Sequence, residues 1–424
     1  MPIQEKVTMM TERLKADFSK NETKIHRFPQ GLRIGCQADR YIAPSVVALG
    51  PYHHGQPQLQ QMEEVKHAAA HYLCNKSGHP IEEVYSKILS FVGEARSCYT
   101  DDPVAKFSDA DFAVMMFLDG CFLLYYISTD VEKECTLLAN RVCLSTGPCL
   151  LRDIFLLENQ LPWLVLHVLM TFFTYVAPLV PPFIEDMASY FNISSHSEKT
   201  KPPVTLEGPH KPPHLLGLLH HYEVGSPEPG KVEENFGDEY PSPTSAIELA
   251  EIGIKLTGAS NKAWLVNMSH RRRVFGQLSL RPLFLNDITA CWLVNMAAFE
   301  TCTSTSYPKD GFVVCSYLCI LGMLVDKEDD VHELRAKHIV RSLFSNKELL
   351  VFLKGLAHHL RPGHHYFVIL SKIGVYKRHR SVRILVYKFF YNHYKTIVAL
   401  ISLVSVLVGI FQTLASLKQP AQPK

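Results

Sequence analysis

The chain lacks a strong charge of either sign: Lys+Arg number 43 and Asp+Glu 41, a formal net charge of +2. No global field recruits nucleic acid, and no nucleic-acid partner is expected. Its cysteines, Cys36, Cys74, Cys98, Cys121, Cys135, Cys143, Cys149, Cys291, Cys302, Cys315 and Cys319, form no CxxC pair and sit mostly in apolar runs. That pattern excludes a disulfide framework or zinc site and reads as reduced, buried thiols. Residues 1–30 carry charges throughout and no apolar h-region, so no signal peptide is expected. The HExxH and GxSxG signatures are also missing. The pairs His53–His54, His220–His221, His358–His359 and His364–His365 have no ligand spacing around them, and adjacent side chains on a helix or strand point apart. They read as surface, turn or helix-end histidines, with no metal or cofactor. The stretch from Gly225 to Lys231 has the glycine–lysine spacing of a phosphate loop. However, Val232 stands where Ser or Thr would hold magnesium, and Pro227 and Pro229 remove amide donors. Arg271, Arg272 and Arg273 lack interleaved aromatics and read as a solvated loop.

What the chain does have is one long uncharged run. Thr396 to Leu417 contains no ionisable side chain and, at about 1.5 Å per helical residue, spans roughly 33 Å, the thickness of a bilayer's hydrocarbon core. Thr396, Leu400, Leu403, Leu407, Ile410, Leu414 and Leu417 mark it as a membrane-spanning helix. Lys372, Lys377, Arg378, Arg380, Arg383, Lys388 and Lys395 precede it, and only Lys418 and Lys424 follow. The basic excess places the body on the cytosolic side, with the lipid bilayer as a partner and a tail anchor as the expected topology. The sequons at Asn21, Asn192 and Asn267 are then expected bare. Ser405 and Gly409 form a small-xxx-small pair that permits self-association.

With 47% hydrophobic residues the remainder is long enough for a proper core. Residues 1–24 are polar, with a short helix over Met9–Phe18. Residues 25–55 read as extended and proline-punctuated. Apolar spacing predicts helices over Leu59–Leu73 and Ile81–Tyr99. Asp109–Ser128 is apolar all round, a helix enclosed in the core and interrupted at Asp119–Gly120; Asp119 must then be paired or hydrogen-bonded. Pro162 suits the first turn of a helix. Trp163–Leu179 is a rival span, but it is short, holds His167 and ends at Pro178, so it reads as a core helix. Residues 192–244 form a proline-rich linker or insertion in which only His214–His221 looks able to dock as a helical turn. Beyond it, Ser245–Leu256 runs from helix to strand, Val274–Leu285 supplies a partner strand, and the two make a small hairpin. Helices follow over Asp287–Thr301, Gly311–Asp326, Asp329–Leu343 and Asn346–Leu360, and Val382–Tyr394 continues into the span. The fold is therefore expected to be mainly α. It comprises a large helical domain in two halves (25–191 and 245–395) with a small β-hairpin, one C-terminal transmembrane helix (396–417), and a short tail (418–424).

Several stretches together resemble a plant family, the proteins carrying domain of unknown function 247, also catalogued as uncharacterised protein family 0481. They are Ile25–Pro29 (IHRFP), Tyr41–Pro44, Val47–Gly55 (VALGPYHHG), Met62–Glu63 with Lys66, Leu118–Leu123 and Asp153–Pro162 (DIFLLENQLP). His214–Leu216, Ala246–Leu249, Asn295–Glu300, Asp329–Val331 and Phe411–Thr413 continue the series. The most specific positions are Gly50, Pro51, Tyr52, His53, His54, Gly55, Asp119, Gly120, Glu158, Asn159, Gln160 and Pro162. Departures are Tyr394 where a Trp is common, Ala48 where a Ser is usual, and the linker. The resemblance implies a plant-specific helical protein with one C-terminal membrane helix and no established enzymatic activity. It also implies kinship with candidate determinants of grass self-incompatibility, hence recognition of a protein partner.

Physically, Gly50, Pro51 and Gly55 are expected to set a turn, and Asp119, Glu158 and Asn159 to be internal hydrogen-bonding groups. The function expected is a membrane-anchored, non-enzymatic interaction protein. The alternative is an enzyme or small-ligand site in which Asp119, Glu158, Asn159 and His53 or His54 converge on an open cleft. A third reading makes the body extracellular, with glycosylated sequons.

Overall fold

The computed structural model describes residues 25–35, 39–100, 104–132, 147–192, 203–206, 212–225, 243–259, 269–272, 276–303, 312–379 and 381–417. The fold is mainly helical with a few short strands. One lobe forms around the Asp109–Glu132 helix, against which the Gln61–Ser77 and Ile81–Ser90 helices and the Trp163–Phe172 helix pack. The central helix runs unbroken through Asp119 and Gly120, not interrupted there as the sequence suggested. A Cβ on Gly120 would lie 2.4 Å from Leu169 Cδ1, so the glycine lets the Trp163–Phe172 helix approach. That second helix is buried at Val165, Leu166, Val168 and Leu169, as expected of a core helix. Pro162 stands just before it as the N-cap rather than in its first turn, with ψ of 134°.

A second lobe gathers around the Val313–Leu324 helix, which packs on the Asp287–Thr303, Asn346–Ala357 and His364–His379 helices. Ser345 caps the Asn346–Ala357 helix in a reciprocal box with Glu348, and Ser245 does the same with Glu248 for Ala246–Glu251. The His364–His379 helix lies in a stretch that the sequence marked only by its basic residues and by the pair His364–His365, which stands at the start of the helix. One hydrophobic cluster runs from Ile25 to Tyr376 and so includes side chains of both lobes. Trp292, fully buried, ties them together, its ring 4.9 Å from Phe155 and 5.9 Å from Phe191.

The expected hairpin partners do pair, but in parallel. Strand β1 (Ile254–Gly258) and strand β3 (Gly276–Leu280) align Leu256 with Leu278, and β2 (Ser269–Arg272) lies antiparallel on the other side of β3. Arg271 and Arg272 thus belong to a strand, not a loop. Strands β4 (Leu283–Leu285) and β5 (Val340–Ser342) form a second parallel pair. Residues expected as one helix, Asp329–Leu343, instead divide into the Glu328–Ala336 helix and β5. The proline-punctuated segment likewise holds short helices at Gln30–Gly35 and Asp39–Ile42, each between its prolines.

The final helix, Ser381–Leu417, is continuous from the basic stretch through the apolar run. Val398, Leu400, Leu403, Leu407, Ile410 and Leu414 are each more than half exposed. His393–Leu414 has a mean hydropathy of 2.4 and none of it is buried, so this helix is long and apolar enough to cross a membrane.

Candidate functional site

The two most specific sequence blocks meet inside the first lobe. Val47–Gly55 turns at Gly50 and Gly55, whose φ angles of 73° and 80° lie in the region that favours glycine. A Cβ at Gly50 would also sit 2.8 Å from the Tyr99 hydroxyl, itself donating to Gln160 O at 3.0 Å. The turn is clamped from two sides. Gly50 N donates to Asp119 Oδ2 at 2.8 Å, and Leu49 N to Asn159 Oδ1 at 2.7 Å. Asn159 Nδ2 returns bonds to Val47 O at 3.0 Å and Asp153 O at 2.9 Å. Gln160 Nε2 donates to Ile154 O at 2.6 Å, while its Oε1 accepts from Leu216 N at 2.9 Å. The amide side chains thus splice backbones that no regular ladder joins.

Buried charge follows the same logic. Asp119 Oδ1 pairs with the fully buried Lys66 Nζ at 2.7 Å, and Glu63 reaches the same ammonium at 2.7 Å. Burial pulls the Lys66 ammonium down, but the Asp119 charge and hydrogen bond outweigh it, so its pKa stands above the ordinary value; burial pushes the Asp119 carboxyl up, and Lys66 and Gly50 N oppose that shift. Asp153 Oδ2 accepts from Val46 N at 2.7 Å, Ser45 N at 2.9 Å and Val47 N at 3.2 Å; burial pushes this carboxyl up, and those amides oppose the shift. Glu158 accepts from Phe28 N at 2.8 Å and Arg33 Nη2 at 2.6 Å, with Arg27 Nη1 and His53 Nε2 each at 3.5 Å. Burial holds the His53 imidazole below its usual pKa, against the pull of Glu158.

The second lobe repeats the device. Asn295 Oδ1 accepts from Leu157 N at 2.8 Å, and Glu300 accepts from Val314 N, Cys315 N and His220 Nε2 at 2.8, 2.9 and 2.8 Å. Asp330 accepts from Asp326 N, Lys327 N and Ile247 N, each at 3.0 Å. Buried Arg281 pairs with Glu223. Sequence reasoning missed that pair, whose only signal was a charge inside the apolar run Val274–Leu285. It also missed Lys66 as the partner of Asp119. His214 caps the Leu215–Val224 helix, its Nδ1 accepting from Gly217 N at 3.1 Å. Burial, with His26 and His220 nearby, lowers its pKa to about 3.

Asp119, Glu158, Asn159 and His53 therefore do not converge on an open cleft; each is buried and engaged with backbone or an opposite charge. His54 packs edge-on to Phe107 at 5.6 Å. Tyr52 donates to Ile25 O at 2.8 Å. A groove of about 490 Å³ opens elsewhere, lined by Cys319, Met323, Asp326, Lys354, His358 and Tyr366 among others, and none of the expected site residues lines it. Among the described residues no group of three His, Cys, Asp or Glu is arranged to hold a metal ion. The described cysteines are free thiols, buried at Cys74, Cys121, Cys291, Cys315 and Cys319, with Cys149 exposed. The Met9–Phe18 helix, the Ser226–Lys231 part of the loop and the sequons at Asn21 and Asn267 lie outside the described residues.

The arrangement defines a helical protein whose specific polar residues join segments of its own backbone. The chain belongs to the family DUF247, described as plant protein of unknown function, which it matches over residues 25–408. A UPF0481 protein of Arabidopsis thaliana is 26% identical over 350 residues, covering 74% of this chain and 68% of that protein. A putative UPF0481 protein of the same plant is 27% identical over 157 residues, covering 37% of this chain and 28% of its own length. No solved structure matches the chain.

Proposed function

We propose that this chain is a membrane-anchored, non-enzymatic interaction protein whose body faces the cytosol and binds other proteins, itself included. The observation that carries this reading is the exposed apolar helix His393–Leu414, which carries Lys395 near its start and is continuous with a segment bearing Arg383 and Lys388. An apolar helical surface of that length in water is costly, whereas in a bilayer it is at home. The basic residues on its N-terminal side favour a cytosolic body. The interaction role rests on the polar side chains of the specific blocks being spent on the fold itself, which leaves the outer surface as the part that meets partners. The recognition role implied by kinship with grass self-incompatibility candidates falls within this reading.

Topology is the deciding measurement. In plant membranes, protease added from the cytosolic side should digest the body, and glycosidase should leave its mobility unchanged. A protected, glycosylated body would overturn the reading and favour extracellular recognition. If the span also drives pairing, Gly409→Leu should reduce crosslinked dimer; unchanged dimer would remove self-association through Ser405 and Gly409.

A further inference from the structure

The groove that lies apart from the buried network has two ends of different character. Its floor is the contact between the Val313–Leu324 and Asn346–Ala357 helices: a Cβ on Gly322 would lie 2.3 Å from Ala357 Cβ, so the glycine lets the two helices touch. Cys319 and Met323, on the same face of the first helix as Gly322, give that floor two polarisable sulfurs, which suit an aromatic or aliphatic body. Cys319 is 7% exposed, and burial pushes its thiol up to about 12, so it stands as a neutral wall. Tyr366, half-buried and close to Cys319, adds a ring to this end. At the other end Asp326 stands just past the helix C-terminus and pairs with Lys354 Nζ at 2.6 Å, the two side chains 61% and 36% exposed. The hydrogen bond from Lys354 holds the Asp326 carboxyl below its usual range, so both signs of charge are present there at neutral pH. Glu248 brings a second carboxylate to the lining from the Ala246–Glu251 helix, where its Oε2 accepts from Ser245 N at 3.0 Å.

We propose that this groove binds a small zwitterion of the amino-acid class, with its apolar body over Met323 and Tyr366 and its charged head at the Asp326–Lys354 pair. Size and make-up agree with this. A volume of about 490 Å³ is that of a small-ligand site, and an apolar floor with a few polar groups gathered at one end is the usual construction of such sites. The charges select the head. A carboxylate alone would meet Lys354 but also Asp326 and Glu248, and an ammonium alone would meet Lys354 beside the carboxylates. A head carrying both signs interleaves with the pair and leaves no like charges adjacent. The proposal goes beyond the protein-interaction reading by giving the body a ligand, and it holds whichever side of a membrane the body faces.

The experiment uses the full chain in phosphatidylcholine nanodiscs, with empty nanodiscs as the blank, and calorimetric titration of three probes. These are L-tryptophan, tryptamine, which lacks the carboxylate, and indole-3-propionate, which lacks the ammonium. Tryptophan should bind saturably at one site per chain, and each half-headed probe roughly tenfold more weakly, the scale of one charge-assisted hydrogen bond. Lys354→Met should weaken tryptophan about tenfold and bring it level with tryptamine, because the carboxylate has lost its partner. Asp326→Asn should do the same between tryptophan and indole-3-propionate. Met323→Trp, which fills the groove, should abolish binding. Lys347→Met, an equal loss of charge at an exposed position of the same helix as Lys354, should leave binding unchanged. Asp326 and Lys354 both reach solvent, so their variants keep the test decisive if circular dichroism melts show that Met323→Trp fails to fold. Absence of tryptophan binding, equal binding of the three probes, or equal loss in Lys347→Met would overturn the proposal. So would weaker tryptophan binding in nanodiscs containing phosphatidylethanolamine, which would assign the groove to a lipid headgroup.

Discussion

Among the described residues, two helices pass the same test of length and apolarity and have opposite fates. Asp109–Thr129, mean hydropathy 1.6, is 94% buried; His393–Leu414, mean hydropathy 2.4, is not buried at all. The buried helix carries Asp119, a charge that only a folded body can satisfy through Lys66 and Gly50 N. The exposed helix carries no such demand from Thr396 on. Within its apolar stretch the core helix carries a buried carboxylate whose partners the fold supplies, and the exposed run from Thr396 carries none.

The sharpest way to break this contrast is to remove the charge. Asp119→Ala leaves the Lys66 ammonium buried without its main partner and should destabilise the body by about 3–5 kcal/mol, read from denaturant unfolding of the detergent-solubilised chain. Replacing both residues, as Lys66→Met with Asp119→Leu, should recover most of that loss. A double variant as unstable as Asp119→Ala would show that the pair has some further role.

Acid should act on the body alone. His214 has its pKa lowered to about 3 in the fold from an ordinary 6.5, so between those values the unfolded chain binds a proton that the folded chain does not. Stability is then full above pH 6.5 and falls on acidification, by up to about 1.4 kcal/mol per pH unit from this group. Melting temperatures measured from pH 7.5 to 4.5 should drop, and His214→Asn should flatten that slope.

The gentlest probe compares two glycines. Gly120→Ala meets Leu169 Cδ1 at 2.4 Å and should cost about 1–3 kcal/mol by overpacking. Gly409→Ala meets nothing within 4 Å and should leave the melting of the body unchanged. Equal effects would mean that the exposed helix packs against the body after all.

The sequence made the apolar helices legible because their periodicity or length left little choice: Asp109–Glu132, Trp163–Phe172 and the terminal helix all stood out. The turn at Gly50 and the internal role of Asn159 were also readable from residue type. What it hid depended on distant neighbours. Whether β1 and β3 run parallel is set by the path between them, not by either strand's composition. Val340–Ser342 reads as the end of a helix until Leu283–Leu285 offers it a ladder. The burial of Lys66 was not legible, because nothing near it in sequence says that Asp119 lies opposite.

The terminal helix has one more consequence. Ser381–Leu417 is a single rod of about 55 Å, and it keeps a fixed bearing between the body and the apolar run. Each residue inserted between them would swing the body by about 100° around the rod's axis, whereas seven together would nearly restore its heading. The rod is therefore a compass: the heading of the body relative to the apolar run is set by a count of residues.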